Sequence, residues 1–277
     1  MEQDEIYLID LWRIFTREWK WFAAVTVLTL ACTYAFAHLV KRQWEASAWI
    51  QIAQVGQVPS GQDPKVEPLA RVLERLQLVA FQNEVMASMG FSPKSPEALL
   101  YRKSLKLEPL PYAGPLIRLN VRAYSPQQAS RFAAATAAQL HALHQRLEVL
   151  PLKSARERLA SVEADLQTTL ADRARLQQAA TSGSGRAGNG KDAANPVLAS
   201  LLLANKDEQI RSLRQQRSDL ADRLGPTYTY ETSLMWPVYV PDRQAFPNPE
   251  LTYGIGALLS LFLGASAAIA RNAARRK

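Results

Sequence analysis

One cysteine is all that this 277-residue chain contains, and it stands at position 32 inside an apolar run. No disulfide framework can form within such a chain, which excludes a disulfide-stapled fold. Histidine is scarce as well, with only His38, His141 and His144. His141 and His144 stand three apart on a helix and could jointly touch a metal, but no third ligand accompanies them. They read as a solvated or packed pair, and no metal is expected. No Ser/His/Asp or Cys/His arrangement stands out, so no nucleophilic site, cofactor or catalytic residue is read. The acids are plentiful but sit at helical surface spacing, which singles out no acid/base pair.

A basic run interleaved with aromatics is also missing, although the formal net charge is +8. The basic residues alternate with acids along helices, as in Lys153, Arg156, Glu157 and Arg158. Nucleic acid is therefore not an expected partner. The charge belongs to solvated helix faces and the C-terminal tail, with anionic sugars or lipid headgroups as a secondary attraction.

Charge is wholly absent from two stretches, Trp21 to Val40 and Leu251 to Ala270. Each is about 20 residues, enough helix at 1.5 Å per residue to cross a hydrocarbon core of roughly 30 Å. Ala35-Phe36-Ala37 resembles a small-residue cleavage site. The long acidic leader with Glu2, Asp4, Glu5 and Asp10 is unlike a short basic one and favours an uncleaved anchor. Arg271, Arg275, Arg276 and Lys277 follow the second span, which places the C-terminus in the cytoplasm. Two spans then put the N-terminus there too, and the middle of the chain outside.

Between the spans, Trp44 to Ala53 is rich in aromatic and β-branched residues and predicts a strand. Leu69, Val72, Leu73, Leu76, Val79, Val85 and Met89 keep a helical period, predicting one helix over Val66 to Met89. A short helix opens at Ser95-Pro96-Glu97, and strands follow at Ser104 to Glu108 and Leu116 to Ala123. Ser125-Pro126-Gln127-Gln128 combines a serine cap, a proline at the first helical position and a glutamine three residues on. Phe132, Thr136, Leu140, Leu143 and Leu147 line one face of that helix, and Pro151 is expected to kink or interrupt it. Leu152, Ala155, Leu159, Val162 and Leu166 then alternate by three and four, with Thr169, Arg173 and Leu176 extending the register less cleanly, a coiled-coil seam of about four heptads. A second seam runs through Leu198, Leu202, Ile210, Leu213, Leu220 and Leu224. Around the glycine-rich turn Thr181 to Asn195 these predict an antiparallel hairpin roughly 40 Å long, projecting from the membrane. Gly225-Pro226 ends the return helix, and Thr227 to Val240 predicts a strand back to the base.

The turn contains Gly185 to Lys191, most of a phosphate-loop pattern, but Asp192 stands where Ser or Thr must hold magnesium. A helix also precedes it rather than a strand, so no nucleotide site is read. The second span carries a more specific signal. Gly256, Ser260, Gly264 and Ala268 recur every four residues and line one narrow face that admits another helix closely, within the chain or between copies. Pro241, Pro247 and Pro249 stiffen the approach to it.

The segment EIYLIDLWRIFTREWKW (Glu5 to Trp21), the strand after the first span, the YSPQQA helix start, the coiled-coil middle and VPDRQAFPNPEL before a glycine-containing span resemble the Wzz-type polysaccharide co-polymerases, or chain-length determinants. The resemblance implies an α+β inner-membrane protein whose two transmembrane helices flank a periplasmic domain with a membrane-proximal α/β base and a long antiparallel coiled-coil hairpin. On this reading residues 1–20 are cytoplasmic, 21–40 the first span and 41–250 the periplasmic domain, followed by the second span at 251–270 and a cytoplasmic tail at 271–277. The base takes 41–125 and 225–250, and the hairpin 126–224. The resemblance further implies a homo-oligomeric ring that is not an enzyme and sets the chain length of O-antigen, capsule or exopolysaccharide. Its partners would be a membrane polymerase and, as a further contact, the nascent polysaccharide. A kinase domain is not expected on this chain. The alternative reading is an export component bridging toward an outer-membrane channel.

Overall fold

A computed structural model describes residues 17–56, 64–110, 112, 114–184 and 194–275. It is mostly helical, with one small antiparallel sheet. Helix α1 (Trp19–Leu39) and helix α7 (Pro249–Arg275) take in the two uncharged stretches except Val40, and both are long and apolar enough to cross a membrane.

Strand β1 (Trp44–Gln51) starts five residues beyond α1 and buries alternate residues. Ala46, Ala48 and Ile50 point into the core, while Glu45, Ser47 and Trp49 lie on the opposite face, as a period of two requires. After β1 come helices α2 (Leu69–Gln77), α3 (Val79–Ser88) and α4 (Pro96–Ser104), strand β2 (Lys106–Leu110) and strand β3 (Leu116–Ala123). Next are the long helix α5 (Pro126–Ser184), helix α6 (Ala194–Leu224) and the two-residue strand β4 (Ser233–Leu234). The sheet order is β2-β3-β1-β4, with Trp44 opposite Ala123 and Gln51 opposite Leu116.

The single helix predicted over Val66 to Met89 is two, broken where Leu78 takes extended angles of φ −64° and ψ 129°. The buried Gln82 makes the break tolerable: its side-chain amide donates to the Leu76 and Gln77 carbonyls that a continuous helix would have used. The bend lets α2 bury Val72 and Leu76 while α3 buries Phe81, Val85 and Met86; Val79, counted in the helical period, is exposed.

Helix α5 starts as its sequence predicts. The Ser125 hydroxyl accepts the Gln128 amide, and the Gln128 side chain reaches back to the Tyr124 amide, a variant of the capping box displaced by one residue. The helix then runs 59 residues, about 90 Å, and Pro151 does not interrupt it. Proline deletes one amide donor, and the carbonyl it abandons belongs to the solvent-exposed turn of Leu147, Val149 and Leu150, where the loss is least costly. Leu147, expected on one face with Phe132, Thr136, Leu140 and Leu143, is exposed there.

The foot of α5 packs Ala129, Phe132, Ala133 and Leu140 against the inner face of β1 and β3. Phe132 sits edge-on to Tyr101 of α4 and to Phe91, with ring centroids 5.8 Å and 5.7 Å away. Thr136 donates to the Phe132 carbonyl, so the Tyr101 hydroxyl donates to Thr136 at 2.9 Å. Burial pushes the Tyr101 phenol up to about 12, against the pull of that hydrogen bond.

Beyond the base, α5 and α6 run side by side with Ala155, Val162 and Leu166 facing Ile210 and Leu220. Ion pairs link Glu163 to Arg217, Asp172 to Lys206 and Arg173 to Asp207, so one numbering rises as the other falls. Leu198 and Leu202, predicted in the seam, are 59% and 44% exposed. Helical geometry accounts for it. Eight residues at about 100° each leave Leu202 roughly 80° off the Ile210 face, whereas seven return the half-buried Leu203 to within about 20°.

The strand predicted over Thr227 to Val240 reduces to Ser233–Leu234 and single bridges from Tyr230 to Gln54 and Tyr239 to Ser47. Pro237 and Pro241 have no amide to give to a ladder.

Candidate functional site

Three places hold the parts of this chain against one another, and the first is the helix pair α1 and α7. Gly256, Ser260, Gly264 and Ala268 are all buried, while Leu258, Leu261 and Phe262 between them are exposed. A Cβ added to Gly256 would collide with the Thr33 side chain, and one added to Gly264 would meet Thr26 and Phe22 of α1. The Thr26 hydroxyl lies 3.3 Å from the Ser260 carbonyl. The small-residue face therefore receives a threonine face of the chain's own α1. Phe22, Thr26, Thr29 and Thr33 recur at three and four residues, a signal present in the sequence but hidden by the uniformly apolar character of the span.

Replacing Gly264 with Leu is expected to cost about 1–3 kcal/mol by overpacking this contact. Gly254 is the control: a Cβ there meets nothing within 4 Å, and Gly254→Leu should change stability by less than about 0.5 kcal/mol. Unfolding of the detergent-solubilised protein compares the two. Equal effects would show that the face does not carry this packing.

The second place is the approach to α7. Pro249 is the first residue of that helix, and Asn248 caps it by accepting the Glu250 and Leu251 amides. Pro247 is buried behind a cis peptide bond from Phe246, and its carbonyl accepts the Gln244 side chain at 2.8 Å. Pro241 is half-buried between the Tyr239 and Phe246 bridges. Gln43 exchanges backbone hydrogen bonds with Phe246, whose ring stands edge-on to Phe36 of α1 at 6.4 Å. The proline segment is thereby tied to the C-terminal end of α1 and the start of β1.

The third place is a buried polar joint where the foot of α5 meets the returning chain, and the sequence did not single it out. Glu67, 2% exposed, receives Arg75 of α2 through two guanidinium nitrogens, the shortest contact being 2.7 Å. Its other side faces His144 Nε2 of α5 at 3.3 Å. His144 is 0% exposed, and its Nδ1 lies 2.5 Å from the Thr232 hydroxyl, which also accepts the Ala53 amide. His141 Nδ1 meets the Thr232 carbonyl at 2.6 Å, and its Nε2 is 3.6 Å from Glu231. The two histidines thus bind the return segment and the base. Burial alone would raise the Glu67 carboxyl, yet Arg75, assisted by His144, holds it below the usual carboxylate value. Burial pushes the His144 imidazole down despite the opposing pull of Glu67. Burial, with Glu231 beside it, raises Glu148. Only the histidine pair gave a sequence clue, because Glu67, Arg75 and Thr232 lie far apart in the chain.

The phosphate-loop-like segment Gly185 to Lys191 and the Glu5 to Thr16 part of the N-terminal motif lie outside the described residues.

Residues 4–94 match the family model described as Wzz, chain length determinant protein. The matched stretch is similar to that family over about a third of the chain. It takes in α1, β1, α2 and α3, and therefore the threonine face of the first span and the Glu67–Arg75 half of the joint. The other half of each contact, on α5 and α7, lies outside the Wzz match. No curated protein matches the chain in sequence. Among solved structures the chain is similar to a full-length bacterial polysaccharide co-polymerase, at 16% identity over 98% of this chain and 99% of the other, with a TM-score of 0.42. It is also similar to a point mutant of the Shigella flexneri lipopolysaccharide O-antigen chain-length regulator, at 14% identity over 73% and 99% of the two chains and a TM-score of 0.24. The periplasmic domain of a chimeric O-antigen chain-length regulator matches at 13% identity over 72% and 98%, with a TM-score of 0.25.

Proposed function

We propose that this protein is a non-enzymatic regulator of polysaccharide chain length that works beside a membrane polymerase. The single observation that carries the reading is the Wzz match over residues 4–94, which includes the first of two terminal helices able to span a membrane. Both termini lie in the cytoplasm and the inner membrane holds α1 and α7. Residues 41–250 form a periplasmic domain whose base is the sheet with α2 to α4 and whose hairpin is the coiled coil of α5 and α6. Arg271 at the inner end of α7 supports this orientation. Its guanidinium lies 5.1 Å over the Trp21 ring, a basic and aromatic pairing suited to the cytoplasmic interface.

The work of such a protein is done by surface. Copies of the chain assemble side by side, the Gly256 to Ala268 face and the Pro241, Pro247 and Pro249 approach fix the spans relative to the base, and the hairpin stands above. The growing polysaccharide and its polymerase meet this assembly at the membrane. Deleting the gene should broaden or shift the polysaccharide ladder on a gel while repeat-unit synthesis continues. A ladder unchanged in mode and spread would overturn the proposal, and polymer trapped in the periplasm would replace it with an export role.

A further inference from the structure

We propose that His144 is the proton-sensitive pin of the joint between the long helix α5 and the base, so that protonation of its Nδ1 releases the foot of α5 from the Thr232 segment.

The hydrogen bonds specify the state of the closed joint. The Ala53 amide donates to the Thr232 hydroxyl oxygen at 2.9 Å, so the hydroxyl is free to donate onward to His144 Nδ1. His144 Nε2–H then donates to Glu67. In this tautomer the neutral imidazole uses both nitrogens, and each donor has an acceptor. A second proton can bind only at Nδ1, the atom that accepts from Thr232. The threonine hydroxyl must then turn its hydrogen away while its oxygen receives two N–H groups, inside a site where His144 has no exposed surface. Glu67, the nearest counter-charge, is already engaged by two nitrogens of Arg75, whose positive charge opposes a second cation.

The charges around the pin come from every element of the joint. The loop before α2 and α2 itself supply Glu67 and Arg75, the return segment supplies Glu231, and α5 supplies His141 and Glu148. The sign follows from linkage. Once detached, His144 would sit in water near its ordinary value of about 6.5, above its value in the closed joint. The open state therefore binds the proton more readily, and the closed joint loses stability as pH falls through that range. Glu67, held low, gives up its contribution only further down, below the ordinary carboxylate range. The raised Glu148 acts in the opposite direction, favouring the closed joint as it takes up a proton. The window just below neutrality belongs to His144. Because α5 continues about 60 Å beyond His144, small freedom at the joint becomes large displacement at the far end. The chemistry of the pin does not depend on the proposed function; its physiological meaning rests on the periplasmic placement, where protons arrive from outside.

Hydrogen exchange of the full-length protein in detergent, corrected for intrinsic rates between pH 7.5 and 5.0, tests this. Peptides spanning 141–150 and 229–235 should lose protection by up to about tenfold per pH unit, while β3 keeps its own. In His144→Gln the loss should vanish, and in His141→Gln it should persist. Unchanged protection in the unaltered protein, or the same loss in His144→Gln, overturns the proposal. Exchange at the imidazole C2 position reads the titration of His144 without any substitution, and a value at or above 6.5 overturns it as well. A failed gene-deletion ladder would leave both readouts intact, so the two proposals fall separately.

Discussion

Replacing Arg75 with Met is expected to destabilise the folded protein by about 3–5 kcal/mol, the cost of stranding a buried charge. Glu67 is almost wholly enclosed, and Arg75 is the only cation hydrogen-bonded to it among the described residues. With the guanidinium gone, burial dominates and the carboxyl rises from its depressed value. The loss should therefore shrink as pH falls and Glu67 takes a proton, opposite in sign to the acid sensitivity of the intact joint. Adding Glu67→Gln to Arg75→Met should recover most of the loss, since the pair is then replaced rather than broken. Chemical unfolding followed by circular dichroism at pH 7.5 and 5.0 measures all four proteins of the cycle. A penalty below about 1 kcal/mol for Arg75→Met at pH 7.5 would mean that water reaches Glu67 and that the joint is not dry.

Truncating Phe132 to Ala should cost a similar amount, about 3–5 kcal/mol, for a different reason. Phe132 is fully buried where α5 crosses the sheet, and two aromatic rings stand edge-on to it. Removing it opens a cavity lined by Tyr101 and Phe91, and the Tyr101 hydroxyl is pinned by Thr136, which limits collapse into the gap. Leu147, fifteen residues along the same helix and exposed, is the contrast: Leu147→Ala should fall within about 0.5 kcal/mol. The same unfolding measurement separates them. Comparable effects at the two positions would show that α5 is not docked on the sheet through Phe132.

The parts of the fold that depend on local pattern were legible before any coordinates. Uncharged runs of about 20 residues marked both helices that are long and apolar enough to cross a membrane. The Ser95 and Ser125 signals placed two helix starts to the residue, because capping is decided within one turn. Strands β1 and β3 followed from alternation and β-branching. Errors came where a distant side chain changed the local balance. Gln82 folds back to satisfy carbonyls left by the break at Leu78, which no periodicity count detects. Leu198 and Leu202 lie off the seam because apolar character alone does not set the helical angle from Ile210. The predicted return strand is shorter in the structure because its prolines cannot sustain a ladder.

For the candidate contacts the division is sharper. The four-residue repeat of Gly256, Ser260, Gly264 and Ala268 was readable as a face, since helical geometry alone aligns it. Its match to Thr26 and Thr33 was not, because which helix fills a small-residue face depends on where the chain returns. Sequence by itself determined the two terminal apolar helices, the helix starts, the central strands and the small-residue face, all of which arise from interactions within a few residues. Tertiary structure alone decided that Glu67, Arg75, His144 and Thr232 share one dry site. Desolvation and hydrogen bonding there are set by groups up to 165 positions apart in the numbering, and only folding brings them within bonding distance.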